Sequence, residues 1–334
     1  MEADDAFDPG AAPPPDTDVE PEGFVVVLEP NDRIHFLDWG GPTEPGGRTE
    51  RDPGPGGPTE RDPGPGAPPE PGVLLVHGLG QTAWSWIAVA RRLRRARRTV
   101  AMDLRGHGLS DAPTSGYEPE TLADDVLAVA EGSGLMATPD DRIVLAGHGF
   151  GAIVAAWAAA LLGDRCAGLV LVDGGWTDLA AATGQESDEF ARTLDEPPEI
   201  LRSMTAFLAD RRAFDPGTWD ADQERAARTT VVETHAGRVV PTTRPHVLAR
   251  SVEAMFAFRP TVVLPSIEAS IAALTAADDE DGTSDRALEA AQAALEAAGR
   301  RPIRLARFPT DGHNLLRYRP REVAAAVLAL RSAP

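Results

Sequence analysis

Arg142-Ile143-Val144-Leu145-Ala146-Gly147-His148-Gly149-Phe150-Gly151-Ala152-Ile153-Val154-Ala155-Ala156-Trp157 joins two apolar runs through a short turn of mostly small residues. The first run is short and rich in β-branched and aliphatic side chains, which predicts a buried strand. The second is long and rich in alanine, a strong helix former, which predicts a helix. Between them, glycines at 147, 149 and 151 alternate with His148 and Phe150. A tight turn between strand and helix, with small residues on either side, lifts its central residue to the carboxyl end of the strand. The central residue is Gly149, and the spacing is that of G-x-S-x-G with glycine in the serine's place.

Three other stretches fall in register with that turn. His77-Gly78-Leu79-Gly80 follows an apolar run at 73–76, Asp103-Leu104-Arg105-Gly106-His107-Gly108-Leu109-Ser110-Asp111 follows another at 99–103, and Asp311-Gly312-His313-Asn314-Leu315 follows the last one. Together, and in this order, they resemble the α/β-hydrolase superfamily. The resemblance covers 23–332 apart from a repeat tract and an inserted segment. It implies a doubly wound, mostly parallel α/β sheet of α/β-hydrolase type with a helical cap.

It also implies roles. Gly149 occupies the nucleophile position, and His313 is the catalytic histidine. The backbone N–H groups of Leu79 and Phe150 form the oxyanion hole. Leu274-Thr275-Ala276-Ala277-Asp278-Asp279 ends a strand where the family places its acid; with Ala276 in the usual glycine slot the acid falls on Asp279, with Asp278 as second choice. His77, Gly78, His148, Trp84 and Trp176 are the expected substrate-binding neighbours. The chain order of elbow, acid and histidine is that of the α/β-hydrolases.

Short apolar runs alternate with helical patterns from residue 73 onward, as expected of a parallel sheet covered on both faces. Strands are predicted at 73–77, 99–103, 142–147, 168–173, 270–276 and 302–308, after a hairpin formed by 23–28 and 34–39. Helices are predicted at 84–97, 119–131, 150–162, 284–299 and 320–331. Residues 1–21 are acidic and proline-rich, with too few apolar side chains to offset ordering entropy, so they are expected to be disordered. The core is expected at 22–176 and 261–334, with a helical cap at 177–260. Within the first part, 41–72 is a Pro/Gly tract in which Thr49-Glu50-Arg51-Asp52-Pro53-Gly54-Pro55-Gly56 recurs at 59–66, a surface loop grown by duplication.

A formal charge of −20 disfavours nucleic acid and anionic lipid as partners. The single cysteine, Cys166, rules out an internal disulfide. The acidic first residues lack the pattern of a secretory signal, and no apolar run is long enough to cross a bilayer, so a cytoplasmic protein is expected. No cofactor or metal is expected, and the expected partner is a small-molecule substrate or ligand. Glycine carries no atom with which to attack a carbonyl. Three readings therefore stay open: an enzyme using His313 and an aspartate as general base on water or on the substrate, a binding protein that keeps the pocket without turnover, and a serine hydrolase whose nucleophile has been replaced. The presence of the histidine and aspartates favours the first and third.

Overall fold

The computed structural model describes residues 7–42, 70–194, 203–277 and 282–330. Its strands are β1 (Glu22–Val27), β2 (Arg33–Asp38), β3 (Gly72–Val76), β4 (Thr99–Met102), β5 (Ile143–His148), β6 (Cys166–Val172), β7 (Val231–Glu233), β8 (Val239–Pro241), β9 (Ile271–Thr275) and β10 (Arg304–Arg307). The α-helices are α1 (Ile87–Leu93), α2 (Pro119–Gly132), α3 (Phe150–Leu162), α4 (Leu179–Thr183), α5 (Ser187–Leu194), α6 (Met204–Phe214), α7 (Ala221–Thr229), α8 (Pro245–Ala257), α9 (Pro260–Ser266), α10 (Thr283–Ala297), α11 (Leu315–Tyr318) and α12 (Pro320–Ala329).

Eight strands form one sheet in the order β1-β2-β4-β3-β5-β6-β9-β10. The β1–β2 and β2–β4 pairings are antiparallel, and β4, β3, β5, β6, β9 and β10 run parallel. This is the doubly wound, mostly parallel α/β sheet that the sequence implied. Successive side chains of a strand point to opposite faces, and both faces here are covered. Leu74, Val76, Ile143, Leu145, Leu169 and Leu171 join the core with α2, α3 and α10, whereas Val73, Leu75, Val144, Ala146, Val170 and Val172 join a second core with α1 and α12. Such continuous apolar runs are what a strand buried on both faces requires.

Three expectations need correction. Residues 7–21 are ordered. Phe7 and Ala12 are buried in the α1/α12 core, and Arg91 donates to the Asp16 and Val19 carbonyls and to Glu20. Arg94 pairs with Asp16. The apolar shortfall of this segment is thus offset by charge-assisted bonds from arginines on α1. The predicted helix at 84–97 is a 3₁₀ turn, Ala83–Trp86, followed by α1. The segment at 177–260 is not wholly helical, because β7 and β8 pair as an antiparallel hairpin between α7 and α8. The tandem repeat lies outside the described residues.

The segment between β6 and β9 is tied to the rest of the fold through α7. Asp222 forms an ion pair with Arg91 and accepts from its Nη2 at 3.4 Å, Thr229 hydrogen-bonds Thr82 at 2.7 Å, and Arg225 lies over the Trp84 ring at 4.7 Å. Glu20 pairs with both Arg91 and Arg225, so the N-terminal segment bridges α1 and α7. No helix among the described residues is long and apolar enough to cross a membrane.

Candidate active site

The turn between β5 and α3 is built by close packing. A Cβ on Gly147 would lie 2.2 Å from the Gly151 oxygen, and one on Gly151 would lie 2.3 Å from the oxygens of Val76 and His77. Both positions therefore require glycine, since backbone atoms cannot yield as a flexible side chain does. Gly149 sits at φ 53 and ψ −116, a region that L side chains enter only with strain. Its N–H bonds to the Val172 carbonyl at 3.0 Å, which fixes the turn against β6.

His313 faces this turn from the loop after β10. A Cβ at Gly149 would stand 3.2 Å from His313 Nε2 and 3.5 Å from Cε1. On the other edge of the ring, Nδ1 lies 2.6 Å from Asp173 Oδ2. A carboxylate only accepts, so the ring proton sits on Nδ1 and Nε2 is left as a lone pair directed at the Gly149 position. The His313 side chain is 64% exposed and Asp173 is 16% exposed, so the Nε2 lone pair is open to water.

The carboxylate that meets His313 Nδ1 among the described residues is thus Asp173, at the end of β6. Asp278 and Asp279 lie outside the described residues. Asp173 is one of the few non-glycine residues at positive φ, 45°. Its conformation is held by its N–H to the Leu274 carbonyl at 2.8 Å and by Oδ1 accepting from Ala276 N–H at 2.8 Å. A strained non-glycine residue so firmly over-determined points to use. The signal in the sequence was Asp173-Gly174-Gly175 at a strand end. A Cβ at Gly174 would strike the Gly149 oxygen at 2.7 Å, so this glycine lets the acid's loop press on the elbow.

The His77–Gly80 loop lies across the turn. Among the described residues the N–H groups of Leu79 and Phe150 have no protein acceptor. Gly78 N–H donates to Gln81 Oε1 at 3.1 Å. His77 does not face a ligand: it is fully buried, donates from Nδ1 to the Gly78 carbonyl and accepts the Leu104 N–H at Nε2. Trp176 is likewise packed in the core, with its indole N–H given to Ser284. Trp84 stacks edge-on against Trp39 and under Arg225. His148 is buried beside His313, with ring centroids 4.6 Å apart, and Nε2 donates to the His313 carbonyl at 3.0 Å. Burial, reinforced by His313, holds the His148 pKa down to about 4.

The remaining polar residues serve structure. Asp103 accepts from Ala83 N–H, Leu109 N–H and His35, and these contacts hold its carboxyl below the usual range against the opposing effect of burial. Ser110 donates to the Asp103 carbonyl and accepts from His35 N–H, so its hydroxyl is committed. Cys166 is buried, and desolvation pushes its thiol up to about 12. No cluster of residues suited to hold a metal occurs among the described residues.

Comparison with known proteins agrees with this architecture. The sequence matches the Alpha/beta hydrolase family over residues 73–326. It is 36% identical over 104 residues to a 2-(acetamidomethylene)succinate hydrolase of Mesorhizobium japonicum, a match covering 31% of this chain and 35% of that protein. It is 34% identical over 94 residues to epoxide hydrolase 4 of Mus musculus, covering 28% and 24%. The matches thus span about a third or less of these curated relatives. Among solved structures, an E-2-(acetamidomethylene)succinate hydrolase superposes with a TM-score of 0.69 at 18% identity, covering 93% of this chain and 99% of that one. The thioesterase domain from the curacin biosynthetic pathway gives 0.65 at 18% identity, covering 92% and 99%. At such identities these structures speak to the fold alone. Sheet order, elbow and family match converge: the chain belongs to the alpha/beta hydrolase family.

Proposed function

We propose that the protein is an enzyme acting on a small carbonyl-containing substrate, an ester, thioester or lactone, without a covalent serine intermediate. His313 Nε2 takes a proton from a water, or from a hydroxyl of the substrate, held where a serine Oγ would otherwise stand. The oxygen attacks the carbonyl carbon, the N–H groups of Leu79 and Phe150 hold the resulting oxyanion, and His313 returns the proton to the leaving group. Asp173 fixes the tautomer and stabilises the imidazolium. The observation that carries this reading is the pairing of a 2.6 Å Asp173 contact on Nδ1 with Nε2 turned toward Gly149, which has no side chain to stand between them. The hydrolase names among the relatives support the reaction class.

Loss of a nucleophile from an acyl-enzyme mechanism costs on the order of 10⁶ in turnover, so the residual machinery is useful only if attack is direct. The test is hydrolysis of a panel of activated esters, thioesters and lactones by wild type, His313→Ala and Asp173→Asn. Turnover is expected without a burst, abolished in the first variant and lowered about 10²-fold or more in the second. Turnover unchanged by His313→Ala would sink the reading. The turn at Gly149 also suits a serine hydrolase whose nucleophile has been replaced, because it keeps φ 53 and ψ −116 without a side chain to present.

A further inference from the structure

We propose that His148 is the positioning residue for His313, holding the base's loop against the elbow through one hydrogen bond from its ring Nε2 to the His313 main-chain carbonyl. The inference rests on the general-base reading for its kinetic consequence but not for its structural one. His313 is largely exposed and its ring contacts Asp173 through a single bond, so its loop needs a second fixed point. That point is supplied from beneath. His148 belongs to β5, is 1% exposed, and gives Nε2–H to the His313 carbonyl at 3.0 Å while its ring lies 4.6 Å from the His313 ring.

The other ring nitrogen faces the oxyanion loop. Nδ1 lies 3.1 Å from Gln81 Oε1, the same oxygen that accepts the Gly78 N–H. A Cβ at Gly78 would stand 2.9 Å from Nδ1, so glycine is needed there for the ring to lie flat against that loop. Both ring nitrogens face carbonyl oxygens, and a neutral ring can donate to only one; the shorter contact, to the main-chain carbonyl of His313, takes the proton on Nε2. Nδ1 then meets Oε1 as acceptor against acceptor, and the Gln81 contact supplies no hydrogen bond. His148 thus touches both halves of the site, and its hold on the His313 loop depends on a donor at the Nε2 position.

Two substitutions separate donor from packing. In His148→Gln the amide nitrogen reaches about as far as Nε2 and keeps the bond; in His148→Asn the amide is too short and the bond is lost. Two readouts are taken on the full chain: the downfield proton resonance of His313 Nδ1–H bonded to Asp173, and the kcat and KM for p-nitrophenyl acetate. Near-UV circular dichroism establishes that both variants are folded. His148→Gln is expected to keep the resonance and kcat, whereas His148→Asn loses the resonance to solvent exchange and drops kcat by about tenfold to 10²-fold with KM little changed. A resonance that survives in His148→Asn, or is lost equally in both, overturns the proposal. If wild type does not hydrolyse the ester yet the resonance separates the variants as expected, the positioning role stands and the general-base reading falls.

Discussion

At the scale of single residues, position 149 carries no side chain, and the geometry states what adding one requires. A serine Cβ at position 149 would meet His313 Nε2 at 3.2 Å, tighter than an ordinary contact by a few tenths of an ångström. The obstacle is an exposed ring on a loop rather than backbone, so it can give way. The positive φ of 53° adds a penalty of roughly 1–3 kcal/mol for a non-glycine residue. Gly149→Ser is therefore expected to be folded, modestly destabilised, and newly able to react with fluorophosphonate reagents and to show an acyl-enzyme burst on activated esters. Wild type should show neither. A folded variant that stays unlabelled would mean that the Leu79 and Phe150 donors do not converge with His313 on that position.

At the scale of elements, the β5–α3 crossing leaves no room for side chains on the glycines that flank position 149. Gly151→Ala would drive a methyl group to 2.3 Å from two carbonyl oxygens on β3 and its loop. The expected loss is about 3 kcal/mol or more in urea unfolding. Gly163→Ala, at φ 56 with nothing within 4 Å of its Cβ, serves as the comparison and should lose only the roughly 1–2 kcal/mol of the backbone strain. Equal losses would show that φ, not the close approach, sets the cost. This junction was legible in the sequence because apolar periodicity and the glycine spacing point to the same strand, turn and helix. His313 was legible because Asp311-Gly312-His313-Asn314 follows the last strand. Asp173 was not, since one aspartate after a strand has no periodic signature and the acidic run at 278–281 competes with it. The order of 7–21 was hidden for another reason: its partners, Arg91 and Arg94, lie some seventy residues away, and composition reports nothing of such pairing. The three-residue strands of the β7–β8 hairpin are too short to show a period.

At the scale of the whole molecule, the buried histidines make stability depend on pH. His107 and His148 are enclosed, and burial above all holds them at about 3 and about 4, while His77 is lowered by the same cause. In the unfolded chain each titrates near 6.5. Above that value both states are neutral, and the stability is fully present. As pH falls below it, the unfolded chain takes up protons that the folded chain refuses, so stability is lost by about 1.4 kcal/mol per pH unit for each such group. The loss from His148 stops growing near pH 4 and that from His107 near pH 3, where the folded state also accepts the proton. Relief of self-repulsion works the other way, because the charge of −20 shrinks toward the pI of 4.7, but it is spread over an exposed, screened surface. Urea midpoints are therefore expected to fall steadily between about pH 7 and pH 5. His107→Leu identifies the cause. His107 Nε2 is buried without a partner and Nδ1 makes only a 3.2 Å contact with the Arg105 carbonyl, so an apolar replacement of similar bulk costs little at neutral pH. That variant should flatten the acid slope by the equivalent of about one proton. A slope unchanged by it would show that His107 is protonated within the fold, and the acid sensitivity would then have to come from the carboxylates.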